Sequence, residues 1–128
     1  MIATTARTTF TRITHPLTVR LAGSRFFPMW AQVRHVGRRT GRSLTVPVVV
    51  QPGPGVYVVN LPWGPTTNWV RNVQAAGGCV VRWKGTEQST TAPELLDEGQ
   101  ARPYYGRFAW AVARRFFPAD AWLLLHHT

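Results

Sequence analysis

Phe10, Ile13, Leu17 and Leu21 recur at helical spacing, but Pro16 between them would remove a helical hydrogen bond. The pattern therefore predicts two short helices, the second with Pro16 in its first turn and Gly23 closing it. Beyond the dense apolar cluster of Phe26, Phe27, Met29 and Trp30, short strand-like runs dominate: 30–36, the valine-rich 44–51, 56–61, 79–83, 87–92 and 122–125. Pro47 inside the second run marks an edge or a bulge. Pro52-Gly53-Pro54-Gly55 and Lys84-Gly85 read as hairpin turns.

Helical spacing returns at 67–76, ended by Gly77-Gly78, and again where Tyr105, Phe108, Val112 and Phe116 align on one face before Pro118. The acidic stretch 94–100 between them reads as an exposed turn or short helix. Five or six strands, mostly in hairpins, with few helices predict a small antiparallel barrel, mainly β with peripheral helices (α+β). At 128 residues and 45% hydrophobic content, the chain reads as one domain over 1–128, with a helical arm over 1–28 and a barrel over 29–128.

Charge adds a polarity to this picture. Residues 1–86 hold eleven Lys or Arg and no acid, whereas residues 87–128 hold four Arg against five acids, giving the net +10. Such a field attracts nucleic acid, an anionic membrane face or an anionic small molecule. One cysteine, Cys79, excludes an internal disulfide and argues against a zinc cluster. It reads as a small buried hydrophobe in a reducing cytoplasm. No run approaches the ~20 apolar residues of a membrane span.

The basic half concentrates its chemistry in two places. Gly37-Arg38-Arg39-Thr40-Gly41-Arg42 is a glycine-bounded turn carrying three guanidinium groups. Trp63-Gly64-Pro65 then opens the helix that carries Asn68, Trp69, Arg71 and Asn72. Guanidinium groups beside a helix start suit a phosphate or a carboxylate-rich tail lying next to an aromatic surface.

The other common chemistries lack their residues. Gly41 is followed by Arg42 and Ser43 and then by strand, unlike the Lys-Ser/Thr and helix of a nucleotide-hydrolase phosphate loop. The dinucleotide glycine fingerprint, paired zinc-protease histidines and C-x-x-C pairs are absent. All five acids follow residue 86, which argues against paired-carboxylate catalysis. His35, His126 and His127 read as structural or surface groups. Chemistry carried by a bound cofactor is what remains.

The run from His35 through Arg42 to Val48, followed by Trp63-Gly64-Pro65-Thr66-Thr67-Asn68-Trp69-Val70-Arg71-Asn72, resembles the deazaflavin-dependent nitroreductase and quinone reductase family of actinobacteria. The resemblance implies the split β-barrel of the flavin mononucleotide-binding type and coenzyme F-420 as cofactor, flavin mononucleotide being the lesser alternative. It implies cofactor contacts at Arg38, Arg39, Thr40, Gly41, Arg42 and Pro47, and at Trp63, Gly64, Asn68, Trp69, Arg71 and Asn72. It also implies hydride transfer to an electron-poor acceptor, a quinone, a nitro compound or an unsaturated lipid-like molecule, with Tyr104 and Tyr105 as candidates for ordering that acceptor or passing a proton.

Two departures stand out. Several members carry Ser-Lys-Gly where this chain has Pro62-Trp63-Gly64, so one cation is missing, with Arg71 a candidate replacement. The two tyrosines align only loosely. The rival reading is a basic split-barrel module that binds an anionic membrane surface or another polyanion without turnover; a haem-type split barrel is a third. Arg114 and Arg115 beside the aromatic stripe favour peripheral membrane contact, at the inner face of the plasma membrane, over nucleic acid. Monomer and homodimer stay equally open.

Overall fold

The computed structural model describes residues 30–128. The predicted helices around Pro16 and the cluster at Phe26, Phe27 and Met29 lie outside the described residues. Six strands are present: β1 (Trp30–Val36), β2 (Ser43–Gly53), β3 (Val56–Asn60), β4 (Gly78–Trp83), β5 (Thr86–Leu96) and β6 (Trp122–His127). They close into an antiparallel barrel in the order β1-β2-β3-β6-β5-β4. Helix α1 (Asn68–Ala76) connects β3 to β4, while α2 (Glu98–Ala101), a 3-10 turn (Arg102–Tyr104) and α3 (Arg107–Phe116) connect β5 to β6.

Side chains alternate between the barrel's inside and outside. Ala31 and Val33 on β1, Val48 and Val50 on β2, Tyr57 and Val59 on β3, Val81 on β4 and Leu123 and Leu125 on β6 fill the interior. Val70 and Val73 of α1 join this core, so α1 plugs one end of the barrel. The opposite faces of β3 and β6 are also covered. Val56, Val58, Trp122 and Leu124 pack with Ala101 and Ala119, and Leu96, Tyr105 and Trp110 lie against them. Those strands are continuous apolar runs for that reason.

β2 explains Pro47. Residues 43–49 pair with β1 and residues 50–53 pair with β3, so Pro47, opposite Gln32, sits where the strand has one neighbour, the edge position a strand proline takes. The β2–β3 turn places Gly55 at φ 72°, a backbone that favours glycine.

Two expected elements differ. The strand expected at 87–92 runs on to Leu96, and only α2 remains of the acidic helix. Ala92, at φ 50°, takes up a register shift between Thr91 and Glu94, which lets the strand pass the donor-less Pro93 and pair again with β6. Tyr105 precedes α3 rather than belonging to it, and the stripe it was to share is turned outward: Phe108 and Phe116 are 84% and 66% exposed. Trp110 takes the inward position instead, stacking on Trp122 at 5.6 Å and meeting Tyr105 edge-on at 5.2 Å.

Candidate functional site

The arginine turn joins β1 to β2 at the barrel end that α1 plugs. Gly37 N–H donates to the Arg42 carbonyl at 2.9 Å and Gly41 N–H to the Gly37 carbonyl at 2.8 Å, closing the loop on itself. Both glycines are required: a Cβ at Gly37 would lie 2.7 Å from Thr40 Oγ1, and Gly41 has φ 71°. Arg42 N–H donates to Thr40 Oγ1 at 3.3 Å, so Thr40 braces the turn.

Asn72, buried on α1, anchors the turn to the helix. Its Oδ1 accepts from the Arg38 backbone N–H at 3.1 Å and from Arg38 Nη1 at 2.8 Å. Arg38 Nη2 reaches Asn68 Oδ1 at 3.4 Å. On the other side, Asn72 Nδ2 lies 3.2 Å from Nδ1 of the buried His35. Burial pulls the His35 pKa below its ordinary value. Arg39 and Arg42 are exposed and make no ion pair with another described residue.

The start of α1 faces the same region. Gly64 N–H donates to the Leu61 carbonyl at 3.0 Å, and Gly64 adopts φ 84° in the corner before the helix. Thr67 is the N-cap residue, yet its side chain does not cap, and no acid lies in the first turn. Thr67 Oγ1 is buried without a hydrogen-bond partner among the described residues. A helix start with open donors, an unsatisfied hydroxyl and nearby guanidinium groups is suited to receive an anion. Trp63 is 50% exposed beside it, whereas Trp69 packs against the barrel core. Arg71 is exposed on α1.

The sequence-predicted residues thus fall into groups. Arg38, Asn68 and Asn72 are in direct contact, and Arg39, Thr40, Gly41 and Arg42 share the turn. Gly64 and Trp63 form the corner leading into the helix. Pro47 lies on the outer face of β2, alternating with the core residues Val46 and Val48.

Tyr104 and Tyr105 are not brought to the turn. Tyr104 lies near Gly53, at the far end of β2, on the order of 30 Å along the strand from Arg42. Tyr105 donates its hydroxyl to Asn60 Oδ1 at 2.7 Å, and Asn60 Nδ2 donates to the Phe117 carbonyl at 2.8 Å. Burial pushes the Tyr105 phenol far above its usual range. This is a strut between the α2–α3 segment and the barrel. Tyr105 also borders a concavity of about 460 Å³ with Arg102, Pro103, Gly106, Arg107 and Trp110. A smaller apolar groove of about 180 Å³ lies between Val49 to Gln51 of β2 and Phe108, Val112 and Phe117. Neither shares a residue with the turn.

Residues 23–115 match the model of a protein family, the F420H(2)-dependent quinone reductases. The chain belongs to that family. Coenzyme F-420 is its cofactor, and it is an oxidoreductase. Among curated proteins, none matches the sequence.

Solved structures show the shared fold. A protein described as an F420-H2 dependent reductase, FDR-A, superposes with a TM-score of 0.57 at 15% identity, over 77% of this chain and 94% of its own. A second, described as a domain-swapped dimer, gives 0.57 at 15% identity over 94% and 99%. The haem storage protein HutZ from Vibrio cholerae gives 0.50 at 12% identity over 81% and 84%. The architecture is the split barrel.

Sequence reading did not assign two residues of these networks, His35 to the turn and Asn60 to Tyr105. His35 had a usable signal, since β1 alternation turns it inward beside the turn. Asn60 had none, its partner being 45 residues away.

Proposed function

We infer that the arginine turn and the start of α1 together hold the phosphate and polyglutamate part of coenzyme F-420, and that the acceptor is a quinone. The observation that carries the first part is the Arg38–Asn72 anchor. It sets the turn against an uncapped helix start, which supports the reading that Arg39, Arg42 and the α1 donors serve one anion. The residues fit the group: the buried Thr67 hydroxyl lacks a partner, and the local charge is wholly basic.

Bound in its reduced form, the cofactor supplies a hydride. The chain's own contribution is binding and orientation. Arg39 and Arg42 neutralise carboxylates, and the α1 donors and Thr67 bond the phosphate. Thr45, Pro47 and Val49 offer an outward-facing strip along β2 from the turn toward the apolar groove, against which a flat ring can lie. The quinone assignment rests on the family. A charge-assisted hydrogen bond contributes ~1.5–3 kcal/mol, so Arg39→Ala is expected to weaken coenzyme F-420 binding roughly ten- to a hundredfold in a titration. An unchanged dissociation constant with the circular dichroism spectrum intact would remove the turn from the site.

A second reading concerns where the enzyme meets a lipid-soluble acceptor. Phe108 and Phe116 stand exposed on α3, and Arg107, Arg114 and Arg115 share that helix, with Arg115 over the Phe116 ring at 5.5 Å. Arg114 is paired with Glu98 at 3.0 Å, so Arg107 and Arg115 beside the two phenylalanines are what suit this face to an anionic bilayer. The wild type is expected to sediment with vesicles containing anionic lipid, and Phe108→Ser with Phe116→Ser to abolish it; no sedimentation of the wild type at low salt would end this reading. A homodimer also fits the domain-swapped relative, and sedimentation velocity would decide it.

A further inference from the structure

We propose that His35 is a positioning residue for the cofactor site: as a neutral acceptor it fixes the Asn72 amide, and through it Arg38 and the arginine turn. The proposal rests on the turn being the cofactor's anion site.

The chemistry of the three residues forces the arrangement. Arg38 presents only donors, from its backbone N–H and from Nη1, so the Asn72 atom facing it is the amide oxygen. The Asn72 amide nitrogen is then turned to His35, at 3.2 Å from Nδ1. An amide N–H₂ can only donate, so Nδ1 accepts and carries no proton; the neutral ring holds its proton on Nε2. Protonating His35 would set N–H against N–H₂ and free Asn72 to turn away. Rotating Asn72 to satisfy the imidazolium would present N–H₂ to two Arg38 donors. The turn cannot keep its anchor with His35 charged.

The surroundings reinforce the neutral state. Titratable groups on the elements packed against His35 are Arg34 on β1, Arg38, Arg39 and Arg42 in the turn, Arg71 on α1, and Cys79 and Arg82 on β4. β2 contributes none. No acid lies before Glu87, and Glu87 pairs with the outward Arg34 at 2.9 Å. Burial lowers the His35 pKa from its ordinary value and so favours the neutral ring. Affinity for the anionic tail is therefore coupled to one buried proton, full above the ordinary histidine range and declining as pH falls through the lowered value.

The test is calorimetric titration with coenzyme F-420 from pH 7 downward through the acid range in which the protein stays folded, on the wild type, His35→Asn, His35→Leu and Arg39→Ala. Asn offers a carbonyl oxygen close to the position of Nδ1 and does not titrate. Comparing variants cancels any titration of the cofactor itself. His35→Asn is expected to bind like the wild type at pH 7 and to lack the additional loss of affinity the wild type shows as pH falls through the lowered His35 value. His35→Leu is expected to bind roughly tenfold more weakly at pH 7, the effect of losing one positioning hydrogen bond.

Identical pH profiles for the wild type and His35→Asn would overturn the proposal. So would wild-type affinity in His35→Leu. If Arg39→Ala also binds normally, it is the anion-site assignment that fails; if Arg39→Ala weakens binding while the His35 variants do not, only the role of His35 falls. Should His35→Leu fail to fold, nitrogen-15 NMR of the wild-type imidazole decides. A proton on Nε2 with bare Nδ1 is expected, and a protonated Nδ1 at pH 7 would refute the proposal.

Discussion

Replacing Asn72 by Ala removes three hydrogen bonds with one side chain. The Arg38 backbone N–H loses its acceptor, a neutral bond contributing about 1 kcal/mol. The Arg38 Nη1 bond is charge-assisted, but Arg38 is exposed and solvent competes, so about 0.5–1 kcal/mol is a fair figure. The third loss is the His35 contact. His35 is only 5% exposed, and leaving its Nδ1 without a donor adds about 1–2 kcal/mol of uncompensated desolvation.

The sum is about 2.5–4 kcal/mol. With an unfolding entropy of ~2.1 cal/mol/K per residue over 128 residues, Tm should fall by about 9–15 °C. Urea unfolding followed by tryptophan fluorescence measures the loss, since Trp69 lies on the same helix. Arg38→Ala in the same background should show a coupling of roughly 1 kcal/mol in a double-mutant cycle. A loss below about 0.5 kcal/mol, or full additivity with Arg38→Ala, would refute the claim that Asn72 anchors the turn.

Three further outcomes follow from the geometry. Tyr105→Phe leaves the buried Asn60 Oδ1 without its donor and should cost about 1–2 kcal/mol in urea unfolding; an unchanged midpoint would mean the strut carries no stability. Gly78→Ala places a Cβ 2.1 Å from the Thr90 carbonyl oxygen and should abolish soluble expression or lower Tm sharply, whereas Gly106→Ala, at the α3 N-cap, meets nothing within 4 Å and should cost no more than about 1 kcal/mol. Because burial lowers the folded-state pKa of His35, its contribution to stability is full above about pH 6.5 and is lost as pH falls toward that lowered value. Wild type but not His35→Asn should show this added slope in urea unfolding.

The barrel was legible because its strands are short β-branched and apolar runs and its turns carry glycine at positions such as Gly55 and Gly41, where φ is positive. Helix α1 was legible from Thr67 to Gly77 because both ends carry their usual terminators. The α2–α3 segment misled for a physical reason. Phe108, Val112 and Phe116 form a helical stripe, but Trp110 offers more apolar area and stacks on Trp122, so it takes the barrel side and turns the phenylalanines out. The length of β5 was hidden by Pro93, since a bulge is a tertiary solution that local propensity does not encode.

At the site, the turn and the helix were each visible as motifs. Their union was not, because the bonds from Arg38 to Asn72 and from Asn72 to His35 span 34 and 37 residues. The catalytic reading of Tyr105 came from its resemblance to aromatic positions elsewhere in the family. In the folded chain its hydroxyl is committed to Asn60.

The most direct test of the account is amide chemical-shift mapping of the nitrogen-15-labelled protein titrated with coenzyme F-420, with flavin mononucleotide as comparator. The account predicts that the largest changes with coenzyme F-420 fall in residues 37–42 and 63–72, and that flavin mononucleotide, lacking the polyglutamate tail, shifts residues 37–42 less. Changes centred on Arg102, Gly106 and Trp110, with the arginine turn unmoved, would contradict it.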